Sequence, residues 1–442
     1  LLVLLAVKSS AQHTIQLSIK NYSDKTTLGG ATVSIKQLNK TVIADSAGIT
    51  IFKDILQGTY NITVSFIGFE EKEITLQVPQ PNDTIIEVLL MEEEEHEEEE
   101  EEVVVRATRI SRTIANIPTR VEVISGEELV EKGNMKPGDI RMLLNESTGI
   151  QTQQTSATSY NAGIRIQGLD GRYTQILRDG YPLYAGFSGG LSILQIAPLD
   201  LKQVEVIKGA ASTLYGGGAI AGIVNLVSKT PQEERELNFL ANATSAGGLD
   251  LSGFYSERYG NAGLTVFASR NSNRPFDPAN IGLTAIPKFE RYTINPRLFI
   301  YGKKTNIDMG IGLVTENRIG GSIIYINNGG TGFFEKNKTE RITTQIGITH
   351  QLNENSHLQF KNSFSNFNRI ISVPNYQFDA LQQSSFSEFT WNQKKESSDW
   401  VIGANLLTDQ LVERDQTSIA KRDYQLNTLG LFIQNAWTIS DG

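Results

Sequence analysis

Short runs of alternating hydrophobic and polar residues extend from residue 13 to about residue 90. Because successive side chains of a β-strand point to opposite faces, such runs indicate strands with one buried face. Turn-forming residues separate the runs, for example at positions 45–48 and 57–58. This pattern predicts a small antiparallel β-sandwich.

The alternation returns after Glu236 in longer segments. Apolar residues such as Ile307, Met309 and Ile311 lie two positions apart, and most residues between such positions are polar or glycine. Membrane β-barrels have strands that are apolar outside and polar inside, with tight turns at one end and long loops at the other. We therefore predict about ten antiparallel strands of a transmembrane β-barrel. A soluble β-sandwich is the alternative, since its strands alternate too. The predicted long connections are 272–290, 317–339, 370–382 and 412–424.

Between these regions, residues 103–231 combine strands with helices. Ser125, followed three positions later by Glu128, has capping-box chemistry and predicts a helix that continues through Leu129 and Val130. A second short helix is predicted over residues 139–144. Glycine-rich loops separate the remaining strands, so we expect an α+β domain here.

The formal net charge of −9 comes from one place. Ten of the 49 acidic residues lie in residues 92–102, where only His96 interrupts them. Like charges repel one another and keep a chain extended, so this block is predicted to be a solvated acidic linker. The remaining chain is close to neutral and has no basic stripe, which disfavours nucleic-acid binding.

Two further features bear on compartment and cofactors. The chain has no cysteine and only four histidines, so we expect neither disulfides nor a bound metal or other cofactor. Residues 1–11 form an apolar run that ends in small residues at Ala11, which is typical of the tail of a secretory signal peptide. The alternative is a buried N-terminal strand.

Two long segments resemble a known family. Residues 164–184 (IRIQGLDGRYTQILRDGYPLY) resemble the first signature of the plug domain of TonB-dependent outer-membrane receptors. Residues 204–229 (VEVIKGAASTLYGGGAIAGIVNLVSK) resemble the second, with Lys208 where the family more often has arginine. The residues that carry these signatures are Arg165, Gly168, Asp179, Gly180, Glu205, Lys208, Gly209, Tyr215, Gly216, Gly222 and Asn225.

Residues 28–33, 45–48, 58–60 and 64–69 resemble the carboxypeptidase-regulatory-like domain, which often precedes such receptors of Bacteroidetes type. The resemblances imply a mainly β chain: a small β-sandwich, an α+β plug domain, and an incomplete transmembrane antiparallel β-barrel. The expected divisions are 1–11 signal-peptide remnant, 12–91 β-sandwich, 92–102 acidic linker, 101–109 TonB-box region, 110–231 plug domain and 232–442 N-terminal part of the barrel.

The size of the plug sets the size of the barrel that must surround it. A plug of about 120 residues has a diameter of roughly 35 Å. About 22 strands can enclose a plugged lumen, whereas about ten cannot. We therefore expect the chain to be a fragment that contains less than half of its barrel.

The segment just before the plug resembles a TonB box with its usual continuation. It spans residues 101–109, with Arg106 where the family often has threonine. An extended β-branched segment can add as a strand to a partner sheet, so Val103, Val104 and Val105 are the predicted TonB-binding residues. The alternative is that these three residues are the first buried strand of the plug.

The resemblance implies active transport of a scarce, bulky ligand across the outer membrane, driven by TonB with the inner-membrane ExbB/ExbD complex. A ferric siderophore is the leading substrate, ahead of haem, cobalamin and oligosaccharide, and a surface lipoprotein is a further candidate partner. Polar and aromatic residues at the plug apices could bind the ligand or could pack against the lumen. These residues are Gln151, Gln153, Tyr160, Asn161, Tyr181, Tyr184 and Phe187.

Two other classes of protein are alternatives. A passive porin or adhesin would need neither the plug nor the valine box. An enzyme is disfavoured, because no nucleophile–base pair or paired-acid motif is apparent in the sequence. The chain is therefore predicted not to be an enzyme.

Overall fold

The computed structural model describes residues 13–79, 85–91, 104–105, 112–113, 121–183, 186–209, 217–395, 397–414 and 420–437. The chain divides into two compact units, residues 1–102 and 103–442. The predicted signal-peptide remnant and acidic linker lie outside the described residues.

The first unit contains two small sheets that share one hydrophobic core. Its strands are β1 (His13–Asn21), β2 (Thr32–Ile35), β3 (Lys40–Ile43), β4 (Ile49–Ile55), β5 (Gly58–Phe66), β6 (Phe69–Val78) and β7 (Ile86–Leu90). The sheets have the strand orders β4–β1–β7 and β3–β2–β5–β6. Ile15, Leu17 and Ile19 of β1 are buried in this core, as their alternation predicts. The sandwich differs from the prediction in one respect, since β1 and β7 pair in parallel.

The second unit begins with the plug. Its elements are β8 (Val104–Val105), β9 (Arg112–Thr113), β10 (Val121–Ser125), α1 (Gly126–Met135), α2 (Arg141–Asn145), β11 (Ile150–Gln154), β12 (Ala162–Ile166), β13 (Thr174–Arg178), β14 (Tyr181–Leu183), β15 (Leu201–Lys208) and β16 (Gly222–Ser228). A five-stranded sheet has the order β10–β15–β16–β13–β14, while β8 with β9 and β11 with β12 form separate two-stranded pairs.

The two central strands of the plug sheet, β15 and β16, are buried along almost their whole length. Val206 and Val224 contribute to one hydrophobic cluster, and Ile207 and Ile223 contribute to a second cluster. Because both faces are covered, these strands have nearly continuous apolar runs in place of alternation.

Both predicted plug helices are present, but their first turns differ from the expectation. Ser125 lies just before α1 in an extended conformation, and its side chain makes no capping hydrogen bond. The predicted capping box therefore does not form. At α2, the Asp139 carboxylate accepts a hydrogen bond of 3.1 Å from the Arg141 backbone N–H, so the helix begins at Arg141. Among the described residues, no helix is long and apolar enough to cross a membrane.

Ten strands follow the plug and form one antiparallel sheet, in which each strand pairs with the next along the chain. They are β17 (Glu236–Ala243), β18 (Gly248–Tyr259), β19 (Ala262–Asn273), β20 (Lys288–Tyr301), β21 (Thr305–Gly321), β22 (Phe334–Asn353), β23 (Ser356–Val373), β24 (Tyr376–Lys395), β25 (Ser398–Glu413) and β26 (Tyr424–Trp437). The predicted number of strands is confirmed.

Burial in this sheet is the reverse of that in a soluble protein. On β20, Arg291 is 3% exposed and Thr293 is 5% exposed, whereas Tyr292 and Ile294 are each 47% exposed. Polar residues therefore face the plug, and apolar residues form the outer surface. This inversion is the pattern of a membrane-barrel wall.

The connections agree with the predicted long and short ends in most places. A short helix, α3 (Ile323–Asn328), lies in the connection between β21 and β22. The predicted long connection at 370–382 is wrong, because β23 continues to Val373 and β24 begins at Tyr376. Asn375 adopts a left-handed conformation with φ of 62°, which lets the two residues between these strands turn the chain tightly.

Candidate functional site

The plug is held by side chains on the inner face of the barrel wall. Apolar contact comes from Phe254 and Phe267, which cluster with Ala197 of the plug. Polar contact comes from five consecutive strands, β20 to β24. The wall residues that make it are Arg291, Arg297, Arg318, Glu335, Thr339, Lys361 and Gln382.

The hairpin of β11 and β12 reaches the wall through its tip. The Glu335 carboxylate accepts hydrogen bonds from the hydroxyls of Ser156, at 3.1 Å, and Thr158, at 2.5 Å. Arg318 donates to the carbonyl oxygen of Ser159 at 3.3 Å. The tip also passes close to Gly320, where a Cβ atom would lie 1.8 Å from the Thr158 carbonyl oxygen. The hairpin is thus docked on β21 and β22 near their long-connection ends.

A cluster of buried charges lies on the same face of the wall. The side chains of Arg291, Glu316 and Arg318 are at most 3% exposed. Glu316 pairs with Arg318 at 2.7 Å and with Arg291 at 3.6 Å. Arg291 also donates to the carbonyl oxygens of Gly138 and Leu194 in the plug. A buried charge needs a partner and hydrogen bonds, so the plug completes the environment of this cluster.

Asp179 and Gly180 form a two-residue turn between β13 and β14. Both have positive φ, of 53° and 78°, as a type I′ hairpin turn requires. The Asp179 carboxylate accepts a hydrogen bond of 2.8 Å from the Ser228 N–H and forms an ion pair of 2.9 Å with Arg297 of the wall. This signature residue therefore both shapes the turn and links the plug to the barrel.

The charge of Asp179 is stabilised by its neighbours. Burial alone would raise the pKa of its carboxyl group, but Arg297, Arg178 and the hydrogen bonds from Ser228 outweigh burial and hold the pKa below its ordinary value. The carboxylate is therefore ionised at neutral pH.

The second signature is built around Glu205 and Asn225. Glu205 is fully buried and accepts hydrogen bonds of 2.7 Å from Gln203 and 2.9 Å from Asn225. Asn225 in turn accepts from the Gly180 N–H at 3.1 Å, which connects the second signature to the first. Lys208 forms an ion pair with Glu122 of the neighbouring strand.

Glycine is required at position 222 of this signature. Gly222 has a φ of 149°, and a Cβ atom there would lie 2.1 Å from the carbonyl oxygen of Ile207. At Gly209, which has a φ of 128°, nothing lies within 4 Å of such an atom. Two further predicted signature residues, Tyr215 and Gly216, lie outside the described residues.

In the first signature, Arg165 and Gly168 lie at the base of the β11–β12 hairpin, where the chain leaves β12. Gln167 and Gly168 both have positive φ and turn the chain between Ile166 and Leu169. Arg165 donates to the side chain of Gln153 at 2.6 Å and thereby ties β12 to β11. The roles of these residues are structural in this geometry.

The predicted ligand-binding residues fall into two groups. Gln151 and Gln153 are exposed on β11, and Tyr160 and Asn161 are partly exposed at the end of the hairpin tip. The Arg141 guanidinium lies 4.5 Å from the centre of the Tyr160 ring. Tyr160 and Asn161 belong to the docked tip, whereas Gln151 and Gln153 lie on the strand that leads to it.

The second group consists of aromatic residues. Tyr181 is 3% exposed, and its hydroxyl has no hydrogen-bond partner among the described residues. Burial and the carboxylates of Asp308 and Asp179 raise its pKa, so the hydroxyl keeps its proton. Phe187 makes edge contacts with Phe367 and Phe378 of the wall. The geometry favours lumen packing for this pair, while Tyr184 lies outside the described residues.

The predicted TonB box is partly included in the plug. Val104 and Val105 form a short strand paired with β9. Val105 is fully buried in a cluster with Leu177, Ile207 and Ile223. Val103 lies outside the described residues. The alternative prediction, a first plug strand, therefore describes the geometry around Val105, and its role towards TonB stays a prediction.

The plug does not fill all the space beside the wall. A cavity of about 550 Å³ lies between them, lined by Tyr181 and Gln195 of the plug and by Arg297, Arg341 and Asp409 of the wall. Its volume is within the range of small-molecule sites.

The wall residues that seat the plug, such as Arg291, Arg318 and Glu335, are not among the site residues predicted from the sequence. A signal was present, because the alternation of β20 to β22 places these charges on the inner face. Their partners, in contrast, are 97 to 179 positions away along the chain and could not be identified from a local pattern.

Two domain families match the chain. The TonB-dependent Receptor Plug Domain matches residues 113–223, and the CarboxypepD_reg-like domain matches residues 18–105. A compact plug seated on the polar face of an antiparallel membrane-barrel wall defines the class of plugged outer-membrane receptors. Residues 113–223 of the chain therefore belong to the plug domains of TonB-dependent outer-membrane receptors.

Curated relatives are similar over parts of the chain. The vitamin B12 transporter BtuB of Vibrio vulnificus is 28% identical over 173 residues, which cover 36% of this chain and 28% of that protein. The ferric aerobactin receptor of Klebsiella pneumoniae is 32% identical over 162 residues, covering 36% and 21%. The iron-regulated outer membrane virulence protein of Vibrio cholerae is 23% identical over 364 residues, covering 76% and 52%. The chain thus spans about half or less of the length of these relatives.

Solved structures share the fold. A mutant of the ferric enterobactin receptor of Pseudomonas aeruginosa has a TM-score of 0.59 at 15% identity, covering 77% of this chain and 57% of that one. The ferric-catecholate import receptor Fiu of E. coli also has a TM-score of 0.59 at 15% identity, covering 76% and 60%. At 15% sequence identity, this similarity shows a shared fold.

Proposed function

We propose that the chain belongs to a receptor that imports a scarce, bulky ligand across the outer membrane in an energy-dependent step. The observation that carries this proposal is the seating of the plug, which is bonded to five consecutive strands of the wall from the inside. A solute cannot pass a plug held in this way without rearrangement of these contacts. A passive porin would have no use for such contacts.

The leading ligand is a ferric siderophore. Support comes from the names of similar proteins, which include a ferric aerobactin receptor and ferric enterobactin receptors. A vitamin B12 transporter is also among the relatives, so cobalamin is an alternative with the same mechanism. The proposed contact residues are the accessible ones at the hairpin, Gln151, Gln153, Tyr160 and Asn161. Iron would enter inside its chelator as cargo.

TonB is the proposed source of mechanical work, with the ExbB/ExbD complex as the proposed coupling to the proton gradient. Each proton that crosses a potential of 100 mV releases about 2.3 kcal/mol. Val104 and Val105 already pair as a strand with β9, so their backbone is in the conformation that strand addition requires. Because Val105 is buried in the plug, its withdrawal by TonB would remove part of the hydrophobic cluster and loosen the plug.

Deletion of residues 102–107 tests the proposal. We expect uptake of radiolabelled ferric siderophore by whole cells to fall to the level seen with a proton uncoupler, while ligand binding to the same cells stays unchanged. A deletion of equal length in the acidic block, residues 93–98, is the matched control and should leave uptake intact. Energised uptake by the 102–107 deletion would refute the role of the box.

A second variant distinguishes loss of TonB binding from disruption of the plug core. Val104→Pro removes one backbone N–H and should impair strand addition with less effect on the buried Val105 side chain. We expect this variant to bind ligand and fail to import it. Uptake that resists the uncoupler in the unaltered receptor would instead indicate a passive porin.

A further inference from the structure

A concentration of positive charge lies on the outer face of the wall, away from the plug. It consists of Arg270, Arg274, Lys288, Lys336 and Lys338, which we call the basic rim patch. The alternation of exposed and buried residues along each strand shows which way the patch faces. On β22, Lys336 and Lys338 are exposed, whereas Asn337 and Thr339 between and after them are 2% exposed and face the plug side. Lys336 and Lys338 therefore point outwards, and the same alternation applies to Arg270, next to buried Asn271, and to Lys288 on the strand of buried Arg291. Arg274 follows the end of β19 and lines the same groove.

The strand register brings these residues together in rows. Lys288 of β20 pairs with Ile319 of β21, and Ile319 pairs with Lys336 of β22. In the next row, Glu290 pairs with Asn317, which pairs with Lys338. Adjacent strands are about 4.8 Å apart, so cations two strands apart in one row are spaced by roughly 10 Å. Two neighbouring rows thus present several cations over a small area.

The patch lies at the border of the apolar belt. Two rows below Glu290 on the same face, Ile294, Leu313 and Ile342 pair across three strands. The patch is on the side of the long connections, since β20 follows residues 274–287 and β22 follows the connection that contains α3. Long connections of outer-membrane barrels are extracellular. The cations are therefore at the level of the lipid headgroups in the outer leaflet.

Aromatic side chains mark the same level. Tyr325 of α3 and Phe334 of β22 stack with ring centres 4.0 Å apart. The Lys336 ammonium lies 5.5 Å and 5.4 Å from these two rings. Aromatic residues form girdles at the membrane–water boundary, which agrees with the position derived from the rows.

The cations exceed the acids that could neutralise them. Arg270 pairs with Glu290 at 2.7 Å, and Lys338 pairs with Glu340 at 3.2 Å. Within the described part of the chain, no ion pair involves Arg274, Lys288 or Lys336. These three cations are exposed in a region where an unpaired charge attracts an anion.

The patch is concave. A groove of about 890 Å³ is lined by the five cations and by apolar side chains, among them Leu249, Ile319 and Ile370. A groove with cations around an apolar surface fits an amphiphile that carries phosphate next to acyl chains. We propose that the basic rim patch binds the phosphate groups of a lipid of the outer leaflet.

Lipid binding by the purified full-length receptor that contains this chain, in detergent, tests this proposal. The probe is diphosphorylated lipid A in mixed micelles, with binding followed by native mass spectrometry and by titration. The double variant Lys288→Gln/Lys336→Gln should bind about 30-fold more weakly, since each cation near an anionic membrane surface contributes roughly a factor of five. Binding should also weaken at high salt.

The matched control is Lys303→Gln/Lys304→Gln, which removes two exposed cations at the short-turn end of β20 and β21. It should bind lipid A as the unaltered chain does. Completely dephosphorylated lipid A should bind the unaltered chain as weakly as lipid A binds the patch variant, and inorganic phosphate at equal concentration should not compete. Unchanged circular dichroism would show that the variants fold.

Three outcomes would overturn the proposal. They are equal binding of lipid A by the patch variant and the unaltered chain, an equal loss in the control variant, and undiminished binding of dephosphorylated lipid A. Each would show that the cations of the patch do not recognise lipid phosphate.

Discussion

Asp179 joins the local shape of the plug to its attachment. Its positive φ belongs to the turn, and its carboxylate pairs with Arg297 in the wall. A substitution that keeps the turn and removes the charge therefore separates these two roles. Asparagine is suited to this purpose, because it tolerates a positive φ nearly as well as aspartate.

We predict that Asp179→Asn lowers the melting temperature of the purified protein at pH 7 by an amount that corresponds to about 1–3 kcal/mol. A carboxylate with a lowered pKa in the folded state stabilises above the unfolded pKa of about 4, and this contribution is lost as the pH falls through the folded value. The difference from the unaltered protein should therefore diminish below pH 4.

Thermal unfolding in detergent between pH 7 and pH 2.5 measures this dependence. Asp170→Asn is the control, because Asp170 pairs with Arg172 at 3.2 Å but the two side chains are 46% and 72% exposed, so solvent screens the pair. It should show a much smaller change. A difference for Asp179→Asn that stays constant down to pH 2.5 would contradict the assigned charge.

At the residue scale, the sequence identified the plug signatures but gave few of their contacts. The turns at Gly168 and Gly180 could be expected from glycine chemistry. Gly222 is different, because its constraint comes from the carbonyl oxygen of Ile207 on the paired strand. The burial of Tyr181 and Phe187 depends on wall residues far away in the chain, so no local sequence pattern predicts it.

Among the elements, the β11–β12 hairpin depends most on a single wall residue. Glu335 receives both hydroxyl hydrogen bonds from its tip. Hydrogen bonds to a charged group contribute about 1.5–3 kcal/mol each. The hairpin tip should therefore loosen when this charge is removed.

We predict that Glu335→Gln speeds amide hydrogen exchange of residues 155–161 by at least about tenfold. Glu340→Gln is the control, since Glu340 lies on the same strand but is exposed on the outer face. Exchange measured by mass spectrometry should change only in the first variant. Equal protection of the tip in both variants would show that Glu335 does not hold it.

Secondary-structure elements were predicted correctly where apolar and polar residues alternate regularly along the chain. The ten wall strands alternate because one face meets lipid and the other meets the plug, so their number could be read from the sequence. Strand ends were less predictable, as the region 370–382 shows. Its polar residues were interpreted as a loop, but backbone pairing between β23 and β24 continues through them to Val373 and Tyr376.

For the molecule as a whole, the proposed transport requires movement of the plug relative to the wall. These 442 residues contain no cysteine, so within them two introduced thiols are the only ones. Ser156→Cys/Glu335→Cys joins the hairpin tip to β22 when a short bifunctional thiol reagent is added. We predict that the cross-linked receptor binds its ligand and does not import it.

Uptake by whole cells, normalised to the cross-linked fraction, measures the effect. A monofunctional thiol reagent of similar size modifies the same positions without joining them and should leave import largely intact. Full import by the cross-linked receptor would show that the hairpin stays in place during transport.

The cations that seat the plug bond mainly to its backbone. Arg291 reaches the carbonyl oxygens of Gly138 and Leu194, Arg318 reaches that of Ser159, and Lys361 reaches that of Asp179 at 3.3 Å. A carbonyl oxygen survives any substitution of its own residue as long as the chain path is kept. Evolution can therefore vary the plug side chains at these points while the wall cations must be retained, and a plug from a divergent receptor could be grafted into this wall if its backbone follows the same course.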